Sequence, residues 1–136
     1  MQPATPPVAF GIAPDRFEFT WPGQAVFGAG CAAQLPAWAA AQGVRRPLLV
    51  TDAGLVQAGA VAPQMAALEA AGLAPRLFAG VHANPTLDDV LQARAAYRDG
   101  QCDGLVAFGG GSVIDVGKLL VALLCSDASV GHVLGA

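Results

Sequence analysis

Apolar residues fall along this chain in two kinds of run. Short unbroken runs, Leu48-Leu49-Val50 and Leu105-Val106-Ala107-Phe108, are bounded by turn residues and read as buried strands. Longer stretches between them carry apolar positions three and four apart, the spacing of a helix face. Taken in order, Phe17-Glu18-Phe19-Thr20-Trp21 alternates apolar and polar residues, Pro22-Gly23 signals a turn, and Ala25-Val26-Phe27 returns as a second strand. Residues 31–42 predict a helix with Leu35 and Trp38 on one face and Gly43 as its stop. Residues 47–52 predict a buried strand that ends in an acid, Asp52. Residues 56–71 predict one helix, with Val61, Met65 and Leu68 on a face and Gly72 at its end. A short strand over 75–78 and a loop over 80–85 precede a helix over 87–99. Thr86 is placed to cap that helix, Asp88 and Asp89 suit its dipole, and Gly100 ends it.

The last predicted unit is strand, glycine loop and helix. Val113, Ile114, Val116, Leu119, Leu120, Leu123 and Leu124 leave the helix almost no polar face, so burial between the sheet and neighbouring elements is expected. Gly117 within it predicts close packing against another backbone. Residues 1–14, with Pro3, Pro6, Pro7 and Pro14, read as a mobile lead, and 126–136 read as a terminal loop. Strands alternating with helices of about a dozen residues point to an α/β fold with a parallel sheet.

The glycine loop carries the chemistry. Gly109, Gly110 and Gly111 remove every Cβ from the turn, so a large anion can approach the backbone N–H groups closely. Ser112 reads as an N-cap and Asp115, three residues on, as its capping-box partner. A helix start of this kind suits a phosphate or pyrophosphate, the alternative being a tight turn and nothing more. Lys118, about one and two-thirds turns after Ser112, reaches either toward the loop mouth or into solvent. Asp52, at the carboxyl end of its strand, either accepts hydrogen bonds from ribose hydroxyls or caps the next helix. Asn84, held extended by Pro85, is either a turn residue or an amide offered to a ligand.

Composition narrows the classes. Hydrophobic residues make up 54% and charged residues 12% of the 136, which argues against disorder and for one domain with a real core. So little charge also hints that some apolar surface is meant to be covered by further chain or a partner. A net charge of −3, with no basic cluster beyond Arg45-Arg46, gives no reason to expect nucleic acid. Three cysteines, Cys31, Cys102 and Cys125, with no Cys-x-x-Cys, read as reduced, packed thiols of a cytoplasmic protein. The apolar stretch 119–125 is too short to span a membrane. His82 and His132 lie without metal-ligand spacing and read as loop histidines. No Ser/His/Asp constellation or Gly-x-x-x-x-Gly-Lys-Ser/Thr motif points to a hydrolase or NTPase.

The run Gly109-Gly110-Gly111-Ser112-x-x-Asp115-x-x-Lys118 resembles the nucleotide-binding signature of the iron-containing (group III) alcohol dehydrogenases. Phe27-Gly28-Ala29-Gly30, Leu48-Leu49-Val50-Thr51-Asp52-Ala53-Gly54-Leu55-Val56 and Gly80-Val81-His82-Ala83-Asn84-Pro85-Thr86 resemble further segments of that family in the right order. The resemblance implies a Rossmann-like parallel sheet with flanking helices and an N-terminal β-hairpin, of the dehydroquinate synthase-like kind, N-terminal domain only. It divides the chain into the lead, 1–14, and a dinucleotide-binding domain, 15–136, with the family's metal-binding helical half absent. It implies NAD as cofactor, NADP being possible, held by Asp52, Asn84, Gly109, Gly110, Gly111, Ser112, Asp115 and Lys118. It also implies a small alcohol or carbonyl substrate in the complete enzyme, with iron or another divalent metal on an aspartate and three histidines this chain lacks. The hairpin is implied to lie near a dimer contact, so a homodimer or self-association is expected. The activity implied is hydride transfer between alcohols and aldehydes or ketones, with this portion alone inactive. The alternatives are a non-catalytic nucleotide-binding remnant and a relative of the glycerol dehydrogenases or dehydroquinate synthases.

Overall fold

A computed structural model describes residues 16–20 and 24–126. The expected lead, the Pro22-Gly23 turn, His132 and the terminal loop after Ser126 lie outside the described residues. The chain divides into two compact units, one ending at Gln34 and the other beginning at Leu35.

In the first unit, β1 (Arg16–Thr20) pairs antiparallel with β2 (Gln24–Gly28), with Phe17 opposite Phe27 and Thr20 opposite Gln24. This is the hairpin that the alternating pattern predicts. Cys31–Gln34 then makes a 3₁₀ turn, where a continuous helix was expected to start.

The second unit is a three-stranded parallel sheet with helices on both faces. It contains α1 (Leu35–Ala41), β3 (Pro47–Val50), α2 (Ala53–Gln57), α3 (Val61–Ala70), β4 (Arg76–Phe78), α4 (Leu87–Asp99), β5 (Gly104–Ala107) and α5 (Gly111–Ser126). The strand order is β4-β3-β5. The central strand β3 is wholly buried, because alternate side chains enter different cores. Leu48 and Val50 pack with Val90 and Ala93 of α4 and with Val113, Val116, Leu120 and Leu123 of α5. Leu49 packs on the other side with Ala39 of α1 and Val61 and Leu68 of α3.

Three expectations change. The helix expected over 56–71 is two helices, because Gly59 adopts a φ of +76°, a left-handed conformation that ends α2 before Val61 begins α3. The strand expected to be buried, β5, is an edge of this sheet and only half-buried, with Ala107 exposed. Helix α5 is not buried all round. Val113, Val116, Leu120 and Leu123 face the core, whereas Ile114, Lys118, Val121 and Cys125 form an open stripe, so Cys125 is not a packed thiol. Gly117 does pack closely, since a Cβ there would lie 2.9 Å from Cβ of Ala107 on β5.

At the amino edge of the sheet, Asp103 accepts hydrogen bonds from the backbone N–H groups of Arg45 (3.0 Å) and Arg46 (2.7 Å). The turn before β3 is thereby tied to the turn before β5. Burial alone raises the Asp103 carboxyl, but the Arg46 and Arg45 N–H bonds and the Arg46 charge bring it below its ordinary value.

Candidate functional site

Because the three strands run parallel, their carboxyl ends share one edge, and the loops after β3, β4 and β5 meet there. That edge is where open α/β sheets hold ligands. A pocket of about 520 Å³ opens among these loops. It is lined by Asp52, Ala53 and Gly54 after β3, by Val81, His82 and Ala83 after β4, and by Gly110, Gly111, Ser112 and Val113 after β5.

Asp52 takes the capping role and keeps one carboxylate oxygen open. It is the N-cap of α2, and its Oδ1 accepts the N–H of Leu55 at 2.9 Å. Oδ2 has no hydrogen-bond donor among the described residues, and the side chain is half-buried at the pocket wall. An acceptor carboxylate oxygen thus remains for a ligand hydroxyl.

The glycines divide by task. A Cβ on Gly109 would lie 2.7 Å from Cγ2 of Val113 and 3.3 Å from Cδ1 of Leu55, so this glycine is required for packing beneath the loop. Cβ atoms on Gly110 and Gly111 would meet nothing within 4 Å. These two leave open space above the start of α5. The Gly110 carbonyl accepts the N–H of Ile114 at 3.1 Å, which makes Gly110 the N-cap residue of α5. The first-turn N–H groups of Gly111, Ser112 and Val113 have no acceptor among the described residues. Unpaired donors at the positive end of a 16-residue helix suit an anion.

Ser112 is therefore not the cap, and no capping box forms with Asp115. The reason is register: α5 starts two residues earlier than expected, at Gly111. The Ser112 hydroxyl instead donates to the carbonyl of Ala83 at 2.7 Å, tying the glycine loop to the loop after β4. Of the eight residues singled out by the motif, Asp52, Gly110, Gly111 and Ser112 come together around the pocket. Gly109 lies directly beneath. Asn84 and Lys118 are exposed and do not line it. Asp115 lies on a separate groove of about 230 Å³ with Thr86, Val90 and Leu119.

His82, a loop histidine by its sequence, lies on the pocket wall. Its Nδ1 is 2.7 Å from Oδ1 of Asp89, a residue only 2% exposed at the start of α4. Asp89 Oδ2 accepts the backbone N–H groups of His82 (3.2 Å) and Thr86 (3.1 Å). Asp89 also completes a capping box with Thr86, whose hydroxyl accepts the N–H of Asp89. Burial pushes the Asp89 carboxyl up, but the side-chain and backbone hydrogen bonds of His82, the Thr86 N–H and the His82 charge together hold it below its ordinary value. The available signal was positional: His82 directly follows Val81 at the carboxyl edge, seven residues before an acid that opens a helix.

The model of the family described as "Iron-containing alcohol dehydrogenase" matches residues 22–134. The 4-hydroxybutyrate dehydrogenase of Cupriavidus necator is 44% identical over 88 residues, which are 65% of this chain and 22% of that protein. A crystal structure of 1,3-propanediol oxidoreductase superposes with a TM-score of 0.72 at 34% identity, over 76% of this chain and 27% of the other. Sulfoacetaldehyde reductase from Bifidobacterium kashiwanohense, solved in complex with NAD+, superposes with a TM-score of 0.69 at 28% identity, over 78% of this chain and 28% of that one. The chain thus spans about a quarter of the length of the relatives it matches. With the glycine loop, the acid after β3 and the parallel sheet in the order the motifs predict, and with the family model matching most of its length, this chain belongs to the iron-containing alcohol dehydrogenase family.

Proposed function

We propose that this chain is the nicotinamide-dinucleotide-binding portion of an alcohol dehydrogenase that interconverts alcohols with aldehydes or ketones. The observation that carries the reading is the pocket at the carboxyl edge. It sets unpaired N–H groups at the start of α5 opposite an unpaired carboxylate oxygen of Asp52. An anion with hydroxyl groups nearby, as in the ADP half of NAD, satisfies both. The N–H groups of Gly111, Ser112 and Val113 hold the pyrophosphate, with Gly110 and Gly111 leaving room for its approach. Asp52 Oδ2 accepts a ribose hydroxyl, and its charge disfavours a 2′-phosphate, so NAD is the cofactor over NADP. When bound, the nicotinamide supplies the hydride-transfer chemistry, and the residues of this chain bind and orient it.

The described residues hold no group of three or more His, Cys, Asp or Glu side chains that could bind a metal ion. They do not fit the iron of the family name, and no step of the reading passes through a metal here. The reading extends to a small alcohol or carbonyl substrate and to a homodimeric cytoplasmic enzyme, which the resemblance to the family supports. Among the described residues no helix is long and apolar enough to cross a membrane. Equilibrium binding of NAD to the chain, with and without Asp52→Ala, tests the reading. Saturable binding weakened by the substitution is expected. Absence of NAD and ADP binding would overturn it.

A further inference from the structure

We infer that Asp89, buried at the start of α4, is a positioning residue for the pocket: it fixes the loop after β4, and that loop holds the glycine turn at the start of α5. The inference rests on the proposal that the pocket binds the ADP half of a dinucleotide.

Residues 82–88 are all exposed, so core packing does not hold this loop in place. Its fixed points are hydrogen bonds. Val81 donates its N–H to the Thr51 carbonyl at 3.3 Å, where the loop leaves the sheet. Beyond that, both ends of the segment 82–86 come to one atom. Asp89 Oδ2 accepts the N–H of His82 at 3.2 Å and that of Thr86 at 3.1 Å. Oδ1 lies 2.7 Å from Nδ1 of His82. Ala83 sits between the two anchors, and its carbonyl accepts the Ser112 hydroxyl at 2.7 Å. Asp89 thus reaches Ser112 through His82 and Ala83 without lining the pocket itself.

Capping α4 does not require this arrangement. The capping box needs Thr86 and Asp89 alone, whereas the bonds to His82 run seven residues back and add nothing to the cap. The carboxylate is also 2% exposed, and a buried charge is costly unless donors satisfy it. Among the described residues, every donor to it comes from His82 and Thr86, so the charge is satisfied when the loop is folded around it. Helix cap, loop and Ser112 bond therefore form together. Gly110 and Gly111 have no side chains to pack, so Ser112 is the first residue of the turn with a tie to the opposite wall. A donor array held this way loses less order when a ligand binds.

The test is calorimetric titration of ADP into wild type, Asp89→Ala, Ser112→Ala and the double variant, at a temperature where each is folded. Asp89→Ala is expected to weaken ADP about fourfold in the wild-type background, the worth of one hydrogen bond. Beside Ser112→Ala, where the connection is already cut, it should weaken ADP by less than about twofold. A general loosening of the fold would cost the same factor in both backgrounds. A second measurement, hydrogen exchange at the Thr86 amide, needs no substitution at Asp89. Thr86 donates to Asp89 and does not line the pocket. Coupling is reciprocal, so saturating ADP should slow that exchange about fourfold in wild type and leave it unchanged in Ser112→Ala. Equal ADP affinity in wild type and Asp89→Ala, the same loss in both backgrounds, or Thr86 exchange indifferent to ADP in wild type would overturn the role of Asp89 and leave the dinucleotide site standing. Failure of wild type to bind ADP would overturn the site itself, and this inference with it.

Discussion

The hydroxyl of Ser112 donates to the carbonyl of Ala83 at 2.7 Å, joining the glycine loop to the loop after β4 across the end of the central strand. The serine of the motif thus spends its proton on holding the pocket wall and offers a ligand only its backbone N–H. Ser112→Ala should cost about 1 kcal/mol of stability, the net worth of one such bond, and weaken dinucleotide binding only a few-fold. Chemical denaturation and binding titration check the two numbers. A loss of binding as complete as that from blocking the glycines would mean that the hydroxyl touches the ligand.

Gly109 and Gly111 belong to one motif and are opposite in effect. A methyl group on Gly109 meets Val113 at 2.7 Å, so Gly109→Ala should destabilise the fold by about 1–3 kcal/mol. Gly111→Ala meets nothing within 4 Å and should leave the melting temperature nearly unchanged while weakening the nucleotide. Thermal melts and binding curves of the two variants, taken side by side, separate folding from function.

Asp52 caps α2 and faces the pocket, so the substitution has to separate the two tasks. Asp52→Asn keeps a good capping residue and removes the charge. It should narrow the preference for NAD over NADP with little loss of stability, whereas Asp52→Ala should also lose about 1 kcal/mol of helix capping. Binding of both cofactors to each variant decides it, and an unchanged ratio would remove Asp52 from the ribose.

Acid should unfold this chain through two carboxylates. Asp89 and Asp103 both titrate below their ordinary value of 3.8 in the fold. A lowered folded value means that the unfolded chain takes up protons first. Their stabilisation is therefore complete above the ordinary value and is lost as pH falls through the folded one. Stability should be flat near neutrality and decline below about pH 4. Asp89→Asn or Asp103→Asn should flatten that decline, as read from denaturation midpoints between pH 2 and 6.

Much of the fold was legible because hydrophobic period and turn residues agree. The unbroken run Leu48-Leu49-Val50 could only be a strand buried on both faces, and Thr86 with Asp88 and Asp89 announced α4. What escaped was set by context. Gly59 adopts positive φ and splits a helix whose apolar spacing continues across the break. The start of α5 lies two residues earlier than expected, which moves the cap from Ser112 to Gly110. At the site, Asp52 and the glycine loop were legible because strand ends and glycine runs are local signals. His82 was not, because its meaning depends on Asp89, seven residues away and buried by a core that only the folded chain assembles.

The central claim is that the loops after β3 and β5 hold a dinucleotide between Asp52 and the start of α5. Its most direct test is calorimetric titration of NAD into the chain beside Gly111→Val, a change that fills the open space above the helix without touching the core. The account predicts one saturable site in wild type, at least tenfold weaker in the variant, with both proteins melting at the same temperature. Equal affinity in the two proteins, or no binding to wild type, would contradict it.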